Sequence, residues 1–182
     1  MNYSNITISG LVCTGTSTLS RFLLEKLPGW QRSSSGEMFR QYCVEHNLPL
    51  EQASLRPDSI TLEIDGMVKN KLQNEQNMIM EGWLTGFLAR NISGVFKILL
   101  YCDSALRIDR LVNRDNMTVE QAKEHIETRE SENFKKWKRI YQVSDFWDPK
   151  YYDLIIDTYA NSKEQTLART LEALEGNSNR VG

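Results

Sequence analysis

Apolar positions along the chain fall into two kinds of run. Asn5–Ser9, Asn77–Met80, Val95–Tyr101 and Tyr152–Ile156 are short and nearly continuous, the pattern of strands buried on both faces of a parallel sheet. Between them the spacing widens towards the 3.6-residue helical period. Leu19, Phe22, Leu23 and Leu27 share one face of a helix predicted over about Ser17 to Lys26, which Pro28-Gly29 stops. A second helix is expected from near Gly36 to His46. A third opens at Pro57-Asp58, carries Ile60, Ile64, Met67 and Val68 on one side, and ends near Asn74. Ala105–Asn113 and Val119–Tyr141 read as heavily charged helices and Lys163–Leu174 as the last one, with a frayed tail from Gly176. Strands alternating with helices predict an α/β fold with a mainly parallel sheet. No repeat, low-complexity tract or linker divides the chain, so one domain is expected over 1–182.

Composition narrows the function. The chain has 182 residues, 40% hydrophobic and 25% charged, with a formal net charge of −2, which argues against binding nucleic acid by bulk electrostatics. No apolar run approaches the roughly 20 residues that span a bilayer, so no membrane partner is expected. The first residues carry no basic segment or cleavage site, and a cytoplasmic location is expected. Cys13, Cys43 and Cys102 show no metal-ligand spacing and read as free thiols in a reducing compartment. His46 and His125 have no partner pattern, which makes a histidine metal site improbable.

The chemistry begins after the first strand. Gly10-Leu-Val-Cys13-Thr14-Gly15-Thr16-Ser17 has the spacing of the phosphate-binding loop G-x-x-x-x-G-K-[ST], with Thr16 where the motif has lysine. Such a loop turns successive N–H groups onto phosphate oxygens in front of a helix N-terminus, and Ser17 would offer its hydroxyl to Mg²⁺. The competing reading is a Gly/Thr-rich turn that only caps a helix. Without the lysine, lost charge stabilisation could cost a rate factor of roughly 10³–10⁵, about 4–7 kcal/mol at the transition state. Other cations must then supply the charge.

Arg107, Arg110 and Arg114 recur at helical spacing on one stripe, and Arg129, Lys135, Lys136, Lys138 and Arg139 follow. Guanidinium groups suit bidentate phosphate contacts, although a charged helix face is equally a solvated one. Glu81 and Asp103 each end an apolar run, where a carboxylate either holds a water on Mg²⁺ or caps a loop.

These residues resemble the archaeal-type cytidylate (CMP/dCMP) kinases, within the nucleoside monophosphate kinases. The likeness extends over nearly the whole chain. Ile6–Gly10 with its loop and Leu23–Leu27 look like the family's opening. Ser34-Ser-Gly-Glu-Met-Phe-Arg40 is similar to Ser-Ala-Gly-Asp-Ile-Phe-Arg, Glu81-Gly-Trp-Leu-Thr-Gly86 to Glu-Gly-Arg-Leu-Ala-Gly, and Tyr152–Thr158 to the last strand. Pro57-Asp58 and Glu63-Ile-Asp65 resemble the acceptor-side helix, and Thr128–Tyr141 the mobile lid.

The resemblance implies a P-loop NTPase three-layer fold with a five-stranded sheet, an acceptor-binding segment at about 34–75 and a lid at about 110–145. It implies ATP- and Mg²⁺-dependent phosphoryl transfer to CMP or dCMP, by a monomer or weak dimer whose partners are small nucleotides. Gly10, Cys13, Thr14, Gly15, Thr16, Ser17 and Thr18 would cradle the donor phosphates. Ser35, Arg40, Asp65, Gly82 and Trp83 would hold the acceptor, and Arg110, Arg114 and Arg129 would close over the transferring group. Trp83 departs from the arginine of Glu-Gly-Arg, leaving Arg40 and Arg90 as nearby cations; it either stacks on a base or packs in the core. Two other readings stay open here: a degenerate nucleotide-binding relative acting as a sensor or partner module, and a P-loop kinase for another small phosphate acceptor.

Overall fold

The structure is a computed structural model that describes residues 3–176; the chain end expected to fray beyond Gly176 lies outside them. Five strands, β1 (Asn5–Ser9), β2 (Gln31–Ser34), β3 (Met78–Gly82), β4 (Val95–Tyr101) and β5 (Leu154–Asp157), form one sheet in the order β2-β3-β1-β4-β5. Every pairing is parallel. Seven helices pack around the sheet: α1 (Thr16–Lys26), α2 (Ser35–Glu45), α3 (Asp58–Asn74), α4 (Thr85–Leu88), α5 (Ser104–Asp115), α6 (Val119–Tyr141) and α7 (Lys163–Gly176). The three-layer α/β expectation therefore holds.

Side-chain alternation in the strands builds the two cores. On β3, Ile79 joins Ile6, Ile8, Leu19, Leu23, Phe96 and Ile98 on one face, while Met78 and Met80 join Phe87, Trp137 and Phe146 on the other. The second face of β1 is polar. Asn5 donates to the Leu72 and Glu75 carbonyls at 2.9 Å each, and Ser9 Oγ accepts from the Gly86 amide at 2.7 Å, which seats the segment after β3 on the sheet.

Two local expectations need correction. Met67 is 46% exposed, and α3 turns Thr61, Ile64, Asp65, Val68 and Leu72 inward. Those five follow the 3.6-residue period, and Met67 lies about a third of a turn off their centre. The fifth strand is Gln-Arg-Ser-Ser, which carries no apolar signal because it is an edge strand paired only to β3. Topology then fixes where a ligand sits. β1 lies between β3 and β4, so the loop leaving its carboxyl end opens at the point where the chain switches direction across the sheet.

Candidate functional site

Backbone geometry makes the loop after β1 a cradle. A Cβ at Gly10 would lie 2.3 Å from Thr14 Oγ1 and 2.7 Å from the Leu100 carbonyl, so only glycine fits there. Gly15 sits at φ +100° and Cys13 at φ +61°, both left-handed, which folds the loop back on itself. Gly15 also precedes α1, whose first turn has no side-chain cap and no acidic residue. Its leading N–H groups and the positive end of its dipole are left for an anion.

In front of this turn lies a cavity of about 430 Å³, lined by Cys13, Thr14, Gly15, Thr16, Ser17 and Thr18 together with Arg110 and Arg114. Its size is that of an ordinary ligand site. The arginine stripe of α5 faces the loop. Arg107 donates to the Val12 carbonyl at 3.3 Å and pairs with Glu130. Arg110 donates to the Cys13 carbonyl at 3.0 Å and to the Thr158 carbonyl at 2.9 Å, pinning the loop to the segment after β5. Arg114 pairs with Asp115 at 2.8 Å. Burial nevertheless pushes the Cys13 thiol above its ordinary range, against the pull of the neighbouring arginines.

Beneath the loop, Ser17 Oγ donates to Glu81 Oε1 at 3.1 Å, and Ser20 Oγ donates to Glu81 Oε2 at 3.1 Å. Of the two acidic candidates, Glu81 therefore reaches the loop. Asp103 is a helix cap, accepting from the Ala105 amide at 2.7 Å. No group of three or more His, Cys, Asp or Glu residues able to hold a metal occurs among the described residues. The Ser17–Glu81 pair fits an ion that arrives with most of its ligands already on phosphate and water, as Mg²⁺ does.

A second, smaller cleft of about 40 Å³ is lined by Ser35, Phe39, Asp65, Trp83, Arg129 and Trp137, among others. The Arg129 guanidinium lies 5.2 Å from the centre of the Trp83 ring and forms no ion pair among the described residues. Burial, reinforced by Arg40, lowers it to about 10, so it keeps its charge at neutral pH. Glu51 partly offsets this, and Arg114 and Cys13 of the first cavity also act on its charge. Trp83 packs in the core, and stacking on a base stays an expectation. It meets Trp137 edge-on at 5.5 Å, and it also lines the cleft. Asp65 is 4% exposed, and burial pushes its carboxyl up to about 6 even though Tyr141 donates its hydroxyl to it.

Two expected acceptor residues line neither space. Arg40 is exposed, and Gly82 is buried where a Cβ would lie 2.0 Å from Ser35 Oγ. Within the segment expected to form the lid, about 110–145, Thr128–Tyr141 is continuous helix in α6, and its later turns are fastened to the segment expected to bind the acceptor. Lys136 reaches the Arg56 carbonyl and Asp58, Arg139 pairs with Asp58, and Arg56 donates to Asn133 at 3.1 Å. Sequence reasoning missed Arg32, Arg56, Asn133 and Tyr141.

The sequence profile of the cytidylate kinase-like family matches residues 26–160. The chain belongs to that family. Among its relatives, the cytidylate kinase of Pyrococcus furiosus is 35% identical over 174 residues, covering 93% of this chain and 88% of its own. That of Methanopyrus kandleri is 34% identical over 182 residues, with 93% and 92% covered. Solved structures share the fold at low identity. Shikimate kinase from Acinetobacter baumannii superposes with a TM-score of 0.64 at 14% identity, covering 98% of this chain and 96% of its own. Thymidylate kinase from Candida albicans does so with a TM-score of 0.56 at 14% identity, covering 98% and 93%. This member of the family is a kinase, and phosphoryl transfer is its reaction type. No helix among the described residues is long and apolar enough to cross a membrane.

Proposed function

We propose that the chain transfers the γ-phosphoryl group of ATP to a nucleoside monophosphate, with CMP or dCMP as the acceptor. The observation that carries this reading is a backbone-built phosphate cradle within electrostatic reach of Arg129, a guanidinium of the aromatic-lined cleft that forms no ion pair among the described residues. A desolvated charge without an ion-pair partner is costly to keep unless an anion completes it. The relatives named cytidylate kinase supply the choice of base.

In this reading the amides of the Gly10–Thr18 turn bind the β- and γ-phosphates, and Arg110 holds that turn in shape through the Cys13 carbonyl. Ser35, Asp65 and Trp83 orient the acceptor. An oxygen of its phosphate attacks the γ-phosphorus, the bond to the β,γ-bridging oxygen breaks, and the negative charge leaves on ADP. Arg129 and Arg114 neutralise charge on the phosphoryl group in flight, which is the main contribution a protein makes to this reaction. Ser17 would hold the Mg²⁺ that accompanies the nucleotide, and that ion supplies further charge neutralisation on the phosphate oxygens.

A coupled assay for ADP tests the proposal. Turnover should depend on CMP or dCMP and exceed that with AMP, GMP or UMP. Folded protein that binds ATP by calorimetry yet turns over no nucleoside monophosphate would sink the kinase assignment in favour of a nucleotide-binding relative. In that case Thr16→Lys combined with Trp83→Arg is the variant expected to gain turnover.

A further inference from the structure

One corner of the phosphate cradle holds a cation of its own. Glu81 is 2% exposed at the end of β3, and its two oxygens accept from Ser17 and Ser20. Arg32 enters from the neighbouring strand β2. Its Nη2 contacts Glu81 Oε1 and donates to Glu37 Oε1 at 2.8 Å, and its Nε donates to Ser20 Oγ at 3.0 Å. A single cationic nitrogen thus bridges two carboxylates from different segments, one of which also holds the loop hydroxyl that faces the phosphates.

We propose that Arg32 is an internal counter-ion for the divalent-cation corner. In the nucleotide-free protein its guanidinium occupies the place among Glu37, Glu81 and Ser17 that Mg²⁺ takes together with the donor, and the ion displaces it. The inference rests on the proposed kinase reading for the role of Ser17. The donor set is hard oxygen throughout, two carboxylates and a hydroxyl, which suits Mg²⁺ or Mn²⁺ over softer ions. Two carboxylates converging on one point, one of them buried, require a positive charge between them whenever the metal is away. Burial works against the Arg32 charge, yet Glu37 and Glu81 outweigh it and hold the guanidinium above its ordinary range. The side chain also has a way out, since Glu37 is 52% exposed and opens this corner to solvent. A metal ion alone must compete with this tethered cation, whereas Mg²⁺ carried on a nucleotide brings phosphate ligands that tip the exchange. Arg32 is therefore a positioning residue that keeps Ser17 and Glu81 in register and makes metal entry depend on nucleotide.

Mn²⁺ titration of nucleotide-free protein, followed by the free-ion paramagnetic resonance signal, tests this. Arg32→Met should bind Mn²⁺ about tenfold or more tighter than wild type, the order expected when one competing charge is removed, and adding Glu81→Gln should abolish the gain. Equal Mn²⁺ affinities in folded wild type and Arg32→Met would overturn the proposal. A second measurement needs no destabilised variant. The Arg32 Nε resonance of ¹⁵N-labelled wild type, assigned by its loss in Arg32→Lys, should move when Mg²⁺ is added to protein saturated with ADP and should stay put with ADP and chelator. A resonance indifferent to Mg²⁺ also overturns it. Failure of the protein to bind ADP would instead remove the kinase reading, and the Mn²⁺ comparison would still decide the role of Arg32.

Discussion

In the proposed reading the donor cavity grips with main chain, whereas the acceptor cleft is made of side chains, and the two sides treat their cations in opposite ways. Around the loop, Arg107, Arg110 and Arg114 are tied to protein partners: a carbonyl and Glu130, two carbonyls, and Asp115. Arg107 and Arg110 keep the loop backbone in place more than they present free charge, whereas Arg114 pairs with its neighbour Asp115 and lines the cavity. In the cleft, Arg129 stands against an aromatic ring without a carboxylate, and Asp65 is buried beside a tyrosine hydroxyl. A backbone site tolerates loss of a side chain, since its donors are present in every residue. A side-chain site loses its chemistry with one substitution. That contrast makes the absence of the loop lysine intelligible, and it ranks what substitutions on the two sides should do.

The largest effect is expected at Arg129. Arg129→Ala removes the cation of the cleft that has no ion-pair partner among the described residues, and kcat/KM should fall by roughly 10³–10⁵, the range for an arginine acting on a transferring phosphoryl group. ATP affinity by calorimetry should hardly move, because the donor cradle does not include this residue. Loss of ATP binding in Arg129→Ala would mean that the two sides do not divide the work in this way.

A second test uses pH. Burial, only partly offset by Tyr141, raises the Asp65 carboxyl from an ordinary 3.8 to about 6. The folded state therefore holds this proton more tightly than the unfolded state does. The stabilisation is complete below about pH 4 and is lost as pH rises through about 6. That rise corresponds to about 3 kcal/mol. Between pH 4 and pH 7 wild type should lose stability to urea by that order relative to Asp65→Asn, which has no proton to release. Parallel pH profiles for the two proteins would show that Asp65 is not the strained group of the cleft.

Much of this architecture was legible in the amino-acid sequence, and what was missed shares a physical cause. β1, α3 and α6 announce themselves by apolar period or by charge pattern, and the loop by its glycines. The polar strand β2 does not, because an edge strand needs no apolar face, and Arg32 is legible only once β2 is set beside β3. The same holds for Arg56, Asn133 and Tyr141, which meet Phe39, one another or Asp65 across 17 to 77 residues of chain. Periodicity reports what one element buries. It says nothing of which polar groups from distant elements come together. The arginine stripe was readable as a stripe, but that Arg107 and Arg110 bond loop carbonyls while Arg114 pairs with Asp115 depends on how α5 sits against the loop.

The smallest effect is expected at the position where the motif departs most. If the donor grip is main chain, Thr16→Ala should change the KM for ATP by no more than about threefold, within the range of one neutral hydrogen bond. The residue keeps its amide in either form, and the Thr16 methyl already bends back towards Gly10, with Cγ2 3.2 Å from where a Cβ there would be. Replacing the hydroxyl therefore removes at most one neutral donor and leaves the turn intact. Thr16→Pro provides the contrast, since it deletes the N–H and keeps no donor at all, and ATP affinity should fall well beyond the alanine value. A Thr16→Ala enzyme as impaired as Thr16→Pro would show that the hydroxyl, and not the amide, does the holding, and the division between a main-chain donor site and a side-chain acceptor site would have to be abandoned.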